Sequence, residues 1–473
     1  MTESRRDGGG PIVAVVLIAL ALLAMLLTGC AVGPDYKRPD VDLPKDYGVA
    51  QAPTPAAERW WSVFGDPTLE RLIDEALAAN RDLRAAAERV EQSRAQLMVA
   101  RAALWPDAGI QGERSRSRSS QDTAIGLPPG TPAVSDTNRL VLAFSWELDF
   151  WGKYRRATEA ARAEIVATEA GRDAVRASLV ADVARGYFAL NALDRRLETI
   201  ERTLAGRQKA LELQKLRLDA GAVSEVEYRQ VESDLRGTAA LVPVARQARV
   251  AQEGALAVLL GRSPREVYEA KLDRGSPAVP MVVEVPAGLP SDLLLRRPDL
   301  RQAEAQLQAA TARIGVARAA YFPSIKLTGN YGGESQQLGD LFSGPARTWN
   351  IAAGLLQPLF AGGQIRGGVA IADARTREAA ETWQKALANA FREVRDAIAA
   401  QANLREASTA QEQRERSLTR TLELERLRYD NGAVSLFEVL ETERQLLGAR
   451  LDAIDAERSR RNAIVDLYLA MGV

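Results

Sequence analysis

An internal repeat limits the fold of this chain more than any other feature, because the same series of motifs occurs twice along the sequence. Three pairs of motifs recur in the same order at a spacing of about 210 to 217 residues. The pairs, in chain order, are 82–106 with 299–323, 150–152 with 360–362, and 219–224 with 430–435. Three collinear matches indicate two copies of one structural unit. They predict a first repeat over 81–275, a Pro- and Val-rich linker over 276–296 and a second repeat over 297–473.

The first thirty residues have the pattern of a processing segment. Two arginines precede an apolar run from Ile12 to Leu27, and small residues then lead to Cys30. The run is shorter than the roughly 20 residues that a transmembrane helix needs, which favours a signal peptide over 1–29 and diacylation of the Cys30 thiol. The alternative is an uncleaved anchor with a buried cysteine. Residues 30–80 are predicted to form an acylated N-terminal segment and a short helix.

The composition excludes several classes of function. The chain has no histidine and one cysteine, which removes Ser-His-Asp and Cys-His nucleophiles, the usual zinc ligand sets and any disulfide within the chain. Equal numbers of basic and acidic residues give no electrostatic footprint for nucleic acid. We therefore expect no enzyme, no metal site, no nucleic-acid partner and no cofactor other than the covalent lipid on Cys30.

The hydrophobic period predicts a helix, two strands and a helical hairpin in each repeat. The helix over 82–105 stops at Pro106, after which apolar and polar residues alternate. The clearest strand has an apolar face formed by Leu140, Leu142, Phe144, Trp146, Leu148 and Phe150. About 11 alternating residues that end in aromatics favour a lipid-facing barrel strand. The alternative is a half-buried strand of a soluble sheet.

Two strands per repeat give four per chain, which is too few to close a membrane barrel. The smallest membrane barrels have about eight strands, and an open sheet edge cannot face lipid. The protein must therefore be an oligomer. Three chains would supply twelve strands, although symmetry alone also permits a dimer or a tetramer.

Long helices dominate the rest of each repeat. Some 68 residues without a proline separate Gly152 from Gly221, and a helix of that length measures about 100 Å. Leucines recur along it every seventh residue, as in a coiled-coil seam. The predicted fold is therefore mostly α with a membrane β-barrel portion, in which long coiled-coil hairpins form the wall of a tunnel. A soluble spectrin-like bundle would explain the heptads but not the strands between the helices.

Residues near the N-terminus resemble the acylated start and first helical segment of a known family. They are Cys30, Pro34, Tyr36, Arg38 and Pro39, followed by Trp60, Trp61, Phe64, Asp66 and Leu69. Together with the repeat, they make the chain resemble the outer membrane factors, the TolC-, OprM- and NodT-like outer-membrane efflux lipoproteins. Ala31 after the cysteine favours the outer membrane by analogy with lipoprotein sorting.

The resemblance implies a homotrimer whose twelve-stranded outer-membrane barrel continues into a periplasmic α-helical tunnel. It also implies a periplasmic adaptor protein and an inner-membrane pump of the RND type as partners. The expected function is a lipid-anchored exit duct of a tripartite efflux or type I secretion system, gated at its periplasmic tip. A periplasmic coiled-coil adaptor or scaffold lipoprotein is the alternative, and it should lack the aromatic-rich strands. An envelope hydrolase would need a nucleophile and a base, for which the sequence has no local signature.

Two matching turns are the candidates for the gate and for adaptor docking. These tip turns comprise Gly221, Ala222, Val223 and Ser224 in the first repeat and Gly432, Ala433, Val434 and Ser435 in the second. In each turn the glycine can adopt the left-handed conformation that ends a helix, and the serine can cap the helix that follows. The requirements of a well-formed turn would by themselves explain these residue types.

Four side chains beside the tip turns complete the predicted gate. Glu438 and Glu441 are three residues apart on one helix face, and threefold symmetry would form stacked carboxylate rings that favour cations. The alternative is that they are ordinary solvated glutamates. By the resemblance, Glu227 and Tyr429 match positions that link neighbouring helices and hold the tip closed. Val434 stands where some family members use an arginine in a second link, so the resemblance does not carry that link over to this chain.

Overall fold

The computed structural model describes residues 31–46, 59–120, 122, 132–269, 271–275 and 292–472. The predicted signal peptide, Cys30 and most of the predicted linker lie outside these residues. The helices are α1 (Pro67–Ala79), α2 (Arg81–Ala102), α3 (Lys153–Asp219), α4 (Glu225–Leu259), α5 (Pro264–Glu269), α6 (Leu293–Arg296), α7 (Pro298–Ala319), α8 (Gln364–Asp430) and α9 (Leu436–Ala470). The strands are β1 (Asp107–Arg118), β2 (Val134–Leu148), β3 (Ser324–Ser335) and β4 (Arg347–Leu356). Among the described helices, none is both long enough and apolar enough to cross a membrane.

The internal repeat is confirmed by the lengths of the elements. Helices α2 and α7 have 22 residues each, α3 and α8 have 67 each, and α4 and α9 have 35 each. Strands β1 and β3 both have 12 residues, whereas β2 has 15 and β4 has 10. The offset between the repeats is 217 residues from β1 to β3 and 211 residues from α3 to α8. The two repeats therefore differ in length within their β-hairpins and match along their helices.

The chain divides into two compact units. One unit consists of the described residues within 1–39, 91–167 and 303–383 and contains the sheet. Its four strands pair antiparallel in the order β1-β2-β3-β4, so the hairpins of the two repeats join in one sheet through β2 and β3. This arrangement confirms the prediction of four strands per chain. Within the described sheet, β1 and β4 are the edge strands.

The other unit contains the main apolar core, within 40–90, 168–302 and 384–473. Trp60, Trp61 and Phe64 are buried there against residues of α3 and α9. Asp66 begins α1, where its carboxylate accepts bonds from two backbone N–H groups and from the Tyr187 hydroxyl at 2.7 Å. Burial, together with this hydrogen bond, raises the pKa of Tyr187 well above its usual value. The residues of the N-terminal resemblance therefore fasten α1 to the helical core.

Candidate functional site

Both tip turns have the same backbone geometry. Gly221 has a φ angle of 72° and Gly432 has one of 71°, which is the left-handed region that favours glycine. In each turn the next residue donates its N–H to the carbonyl five residues earlier at 2.8 Å. This bond is part of a standard helix C-terminus and satisfies a carbonyl in the last turn of α3 or α8.

A capping box begins the helix after each tip turn. In the first repeat, the Glu227 carboxylate accepts a 2.8 Å bond from the Ser224 N–H, and the Ser224 hydroxyl accepts one at 3.3 Å from the Glu227 N–H. In the second, the Glu438 carboxylate accepts a 3.2 Å bond from the Ser435 N–H. The predicted cap is confirmed at Ser224, and at Ser435 a capping box also forms, with the hydroxyl 3.2 Å from the Glu438 carboxylate. Glu227 and Glu438 occupy equivalent positions, and each stabilises the N-terminus of its own helix.

Glu441 lies one turn beyond Glu438 on α9. Its carboxylate is 3.1 Å from Arg444 Nη2 and accepts a 3.1 Å bond from the Gln445 side chain. The residue 211 positions earlier, on α4, is Gln230. The pair of carboxylates at 438 and 441 therefore belongs to the second repeat alone.

Tyr429 lies in the last turn of α8 and contacts the first repeat. Its hydroxyl accepts hydrogen bonds from Gln214 Nε2 at 3.3 Å and from Arg217 Nη1 at 3.5 Å, both on α3. Its ring packs beside two apolar clusters, whose other members are Leu211, Val231, Leu436 and Leu440 in one and Leu418, Leu422, Val439 and Leu446 in the other. The equivalent residue of the first repeat is Leu218, which has no hydroxyl. Tyr429 thus ties the second hairpin to the long helix of the first repeat.

Sequence reasoning missed Gln214 and Arg217, the two donors to Tyr429. A buried glutamine and an arginine on a long charged helix have no local pattern that marks them. A residue-by-residue comparison of the two repeats was the available signal. It aligns Leu218 with Tyr429 and shows that the tyrosine occurs in the second repeat alone. It does not identify the residues that the tyrosine contacts.

Exposed apolar side chains near the tip turns also recur in both repeats. The matched pairs are Leu213 with Leu424, Leu216 with Leu427, and Val226 with Phe437. Recurring exposed apolar residues indicate a surface that contacts another protein chain. Sequence analysis missed them because a heptad pattern identifies the buried positions of a helix and gives no information about the exposed ones.

The sheet has one continuous apolar face. Leu142 pairs with Ile110 of β1 and with Tyr331 of β3, and Tyr331 in turn pairs with Trp349 of β4. Paired residues share a face, and these four side chains are 52%, 77%, 58% and 67% exposed, respectively. The opposite face is polar and contains the ion pair of Arg139 with Glu334 at 3.8 Å. The apolar pattern predicted for β2 therefore extends over all four strands.

The predicted set of lipid-facing residues needs one correction, because β2 ends at Leu148 and Phe150 lies beyond it. The Asp149 carboxylate accepts bonds from the N–H groups of Tyr154 at 3.0 Å and Arg155 at 2.9 Å, at the start of α3. Capping α3 in this way requires the chain to turn after Leu148, which removes Phe150 from the strand. The residues that lie within β2 and alternate along it are Leu140, Leu142, Phe144, Trp146 and Leu148.

The segment that follows Cys30 is clamped to α7. Arg38 forms two bonds to the Glu304 carboxylate, at 2.7 and 2.8 Å, and the Tyr36 hydroxyl donates to it at 3.0 Å. Burial and the adjacent Glu304 carboxylate raise the pKa of Tyr36 to about 12. Gly33 lies so close to Gly315 that a Cβ on either residue would overlap the neighbouring backbone. The family-like residues Tyr36 and Arg38 therefore hold the N-terminal segment, and Glu304 is the partner that sequence reasoning missed.

A sheet with an exposed apolar face and two open edges, joined to two long helical hairpins, defines a subunit of an oligomeric membrane channel. The chain belongs to the outer membrane efflux protein family, whose profile matches residues 72–262 and 289–473. It is 34% identical to the cation efflux system protein CusC of Escherichia coli strain K12, over 95% of this chain and 97% of that one. It is also 34% identical to the solvent efflux pump outer membrane protein SrpC of Pseudomonas putida, over 96% and 97%.

Solved structures agree with this assignment. The CmeC outer membrane channel of Campylobacter jejuni superimposes with a TM-score of 0.88 at 28% identity, covering 94% of this chain and 95% of that one. A crystal structure of CusC superimposes with a TM-score of 0.81 at 33% identity, covering 94% and 100%.

These similarities confirm the predicted family, fold, function, partners and location. The protein is a homotrimeric outer-membrane channel that extends into the periplasm, and it is the exit duct of a tripartite efflux system with a periplasmic adaptor and an inner-membrane RND pump. Its family consists of transport channels and is not an enzyme family. The alternative of a coiled-coil adaptor or scaffold lipoprotein is therefore wrong.

Proposed function

We propose that the tip turns form the gated, adaptor-docking end of this duct and that Tyr429 is its latch. The observation that carries the proposal is the pair of hydrogen bonds from Gln214 and Arg217 of the first repeat to the Tyr429 hydroxyl of the second. A gate made of two hairpins opens when one moves relative to the other. These bonds oppose that movement.

The latch is weak enough to be released by a binding partner. Both bonds are longer than the usual 2.7–3.2 Å of N–H···O bonds, so together they contribute about 1 kcal/mol. A second contact between the same regions is the pair of Arg444 on α9 with Asp234 on α4 at 3.9 Å, which is largely exposed on the arginine side and contributes little. An adaptor that binds the parted hairpins better than the closed ones would supply this energy and the cost of exposing the apolar cluster of Leu211, Val231, Leu436 and Leu440.

Adaptor docking is assigned to the tip turns and to the exposed apolar pairs beside them. The pairs recur in both repeats, so each subunit presents two related surfaces, one for each hairpin. Val226 of the first surface is replaced by Phe437 in the second, which therefore offers the larger apolar contact. We expect an adaptor to bury Phe437 more completely than Val226.

The acidic pair Glu438 and Glu441 is proposed to favour cations at the mouth of the duct. In a threefold trimer each residue becomes a ring of three carboxylates, which attracts cations and repels anions. The preference is modest, because Arg444 is 3.1 Å from the Glu441 carboxylate in each subunit. We therefore propose that the choice of cargo lies mainly with the pump. Of two relatives with 34% identity, one is named for cation efflux and the other for solvent efflux.

The lipid on Cys30 is proposed to anchor the segment that Tyr36 and Arg38 hold against α7. The clamp fixes the chain within a few residues of the cysteine. Intact-mass measurement of the purified protein tests the lipid, since diacylation and N-acylation add the mass of three fatty chains and a glyceryl group. Cys30→Ser should have none of this added mass. An unmodified wild-type Cys30 would contradict the proposal.

Single-channel recording in planar bilayers tests the latch. Tyr429→Phe keeps the ring but removes the hydroxyl, and it should raise the open probability on the order of fivefold, the equivalent of about 1 kcal/mol. Tyr228→Phe, a hydroxyl deletion four residues past the first tip turn, is the matched control and should leave the open probability unchanged. If the two variants behaved alike, Tyr429 would not be the latch.

Reversal potentials in a salt gradient test the acidic rings. Glu438→Gln with Glu441→Gln should reduce the cation preference clearly. Glu227→Gln removes the carboxylate from the equivalent capping box, where Gln230 takes the place of the second acid, so it should change the preference little. Equal effects of the two variants would show that the second repeat has no special role in ion selection.

A further inference from the structure

The outer half of β1 alternates arginine with serine. Arg114, Arg116 and Arg118 are separated by Ser115 and Ser117. In a strand, alternate residues point to opposite faces, so the three arginines share one face and the two serines share the other. The Ser117 and Ser135 hydroxyls are 3.0 Å apart across β1 and β2, as expected if both serines lie on the second face.

The arginines share the apolar, lipid-facing surface of the sheet. They lie on the same face of β1 as Ile110, which pairs with Leu142. Arg114 is four residues beyond Ile110, about 13 Å along the strand, and Arg118 is a further 13 Å away. On β4 the same order recurs, because Arg347 lies two residues beyond Trp349 on the same face.

These positions lie beyond the apolar part of the same face, toward the end of β1 that is away from the helices. The helices α2 and α3 adjoin the sheet near Asp107 and Leu148, so Arg118 lies at the opposite, outer end of its strand. The aromatic pair Tyr331 and Trp349 is typical of the boundary between hydrocarbon and headgroups. An arginine on the lipid-facing surface is costly in the hydrocarbon and well tolerated at the headgroups.

Within the described strands, the positive charge of this row is largely uncompensated. Among the strand residues on this face of the sheet, the one carboxylate belongs to Asp136, which lies 3.7 Å from Arg116. The nearby acids Glu113 and Glu334 are on the other face, where Glu334 pairs with Arg139. Three arginines at backbone intervals of about 7 Å therefore share this face with a single carboxylate.

We infer that Arg114, Arg116 and Arg118 bind the phosphate groups of a phosphorylated glycolipid in the outer leaflet, of the lipid A type. Guanidinium groups bind phosphate through paired, charge-assisted hydrogen bonds, and a row of them matches a lipid with two phosphates better than one with a single phosphate. A basic cluster next to a membrane-spanning segment attracts anionic headgroups in general. The row thus serves as a lipid-binding surface separate from the gate and the adaptor-docking end.

Native mass spectrometry of the purified trimer titrated with lipid A tests this inference. The triple variant Arg114→Ser, Arg116→Ser, Arg118→Ser continues the serine pattern of the strand and should bind lipid A at least tenfold more weakly. The triple lysine variant keeps the positive charge, and its affinity for lipid A should lie between those of the wild type and the triple serine variant. A control with three exposed helical arginines replaced, Arg202→Ser, Arg236→Ser and Arg416→Ser, should bind like the wild type.

The lipid itself supplies the second arm of the test. Fully dephosphorylated lipid A and phosphatidylglycerol should each bind the wild-type trimer at least tenfold more weakly than lipid A. Lipid A binding that is equal in the wild type and the triple serine variant would overturn the inference, as would equal binding of phosphatidylglycerol and lipid A. If the triple variant does not assemble, the three single variants carry the test, each with an expected loss of about threefold. Single-channel conductance should stay normal throughout, which separates this result from any failure of the proposed gate.

Discussion

The two tip hairpins share a backbone and differ in a few side chains. Both turns have a left-handed glycine and a serine-glutamate capping box, at the same offset of 211 residues. Against this common frame, Leu218 of the first hairpin is replaced by Tyr429 in the second, Gln230 by Glu441, and Val226 by Phe437. The duplication therefore preserved the shape of the hairpin. The hydroxyl, the additional carboxylate and the larger apolar side chain are found in the second copy.

This difference separates structural residues from those that we assign to gating. A residue that serves the turn should have equal effects in both repeats when it is changed. A residue that serves the gate should have an effect in the second repeat and little effect at its counterpart in the first.

Gly221→Val and Gly432→Val should destabilise the two hairpins most strongly and equally. A β-branched residue at a φ angle near +70° costs roughly 1–2 kcal/mol or more, because its Cβ approaches the backbone carbonyl. Hydrogen exchange of the amides in the last turns of α3 and α8 measures the effect. A clearly larger increase in exchange in one repeat would show that the turns are not equivalent.

Ser224→Ala and Ser435→Ala should each destabilise the start of the following helix by about 1 kcal/mol. The expected signal is faster exchange at the first amides of α4 for one variant and of α9 for the other. Ser115→Ala, on β1, is a serine replacement outside both hairpins and should leave these amides unchanged. Protection that is unaltered at both helix starts would contradict the capping role.

Tyr429→Phe should weaken the interaction between the two repeats by about 0.5–1 kcal/mol. Two long hydrogen bonds are lost, while the aromatic ring keeps its packing. Exchange should rise near Gln214 on α3 and near Tyr429 on α8. Leu218→Ala, at the equivalent position, should affect its own hairpin without changing exchange near Tyr429. Exchange that is unchanged near Gln214 in Tyr429→Phe would argue against the latch.

Glu227→Gln and Glu438→Gln should have the smallest effects on stability. An amide can still accept the capping bond, so the loss is the charge beside the helix N-terminus, roughly 0.3–1 kcal/mol for each variant. Thermal unfolding at low and high salt measures it, and the difference from the wild type should shrink as salt screens the charge. A difference that is independent of salt would contradict this electrostatic explanation.

Much of the fold could be predicted, because it depends on periodicities that the sequence displays. Helix α3 begins and ends within two residues of the limits predicted from the proline-free segment between Gly152 and Gly221. The error at Phe150 arose because Asp149 caps α3, which is a contact that the alternation of β2 does not reveal. Helix α2 ends at Ala102, before the predicted Trp105, for a similar local reason. Residues 103–105 form a turn ahead of Pro106.

The site was predicted less completely than the fold. Turn chemistry is local, so Gly221 and Ser224 could be identified from their sequence neighbours. The contacts of Tyr429 with Gln214, and of Arg38 with Glu304, join residues more than 200 positions apart. Such pairs depend on how helices pack, and a single sequence contains no pattern that brings them together.

Cryo-electron microscopy of the isolated trimer, compared between the wild type and Tyr429→Phe, tests whether the second hairpin carries the gate. The wild-type map should place the Tyr429 hydroxyl within hydrogen-bond distance of Gln214 and Arg217. In Tyr429→Phe, the second tip turn should move away from α3 in a substantial fraction of particles while the first keeps its position. Equal displacement of both turns, or no displacement of either, would contradict the assignment of the gate to the second repeat.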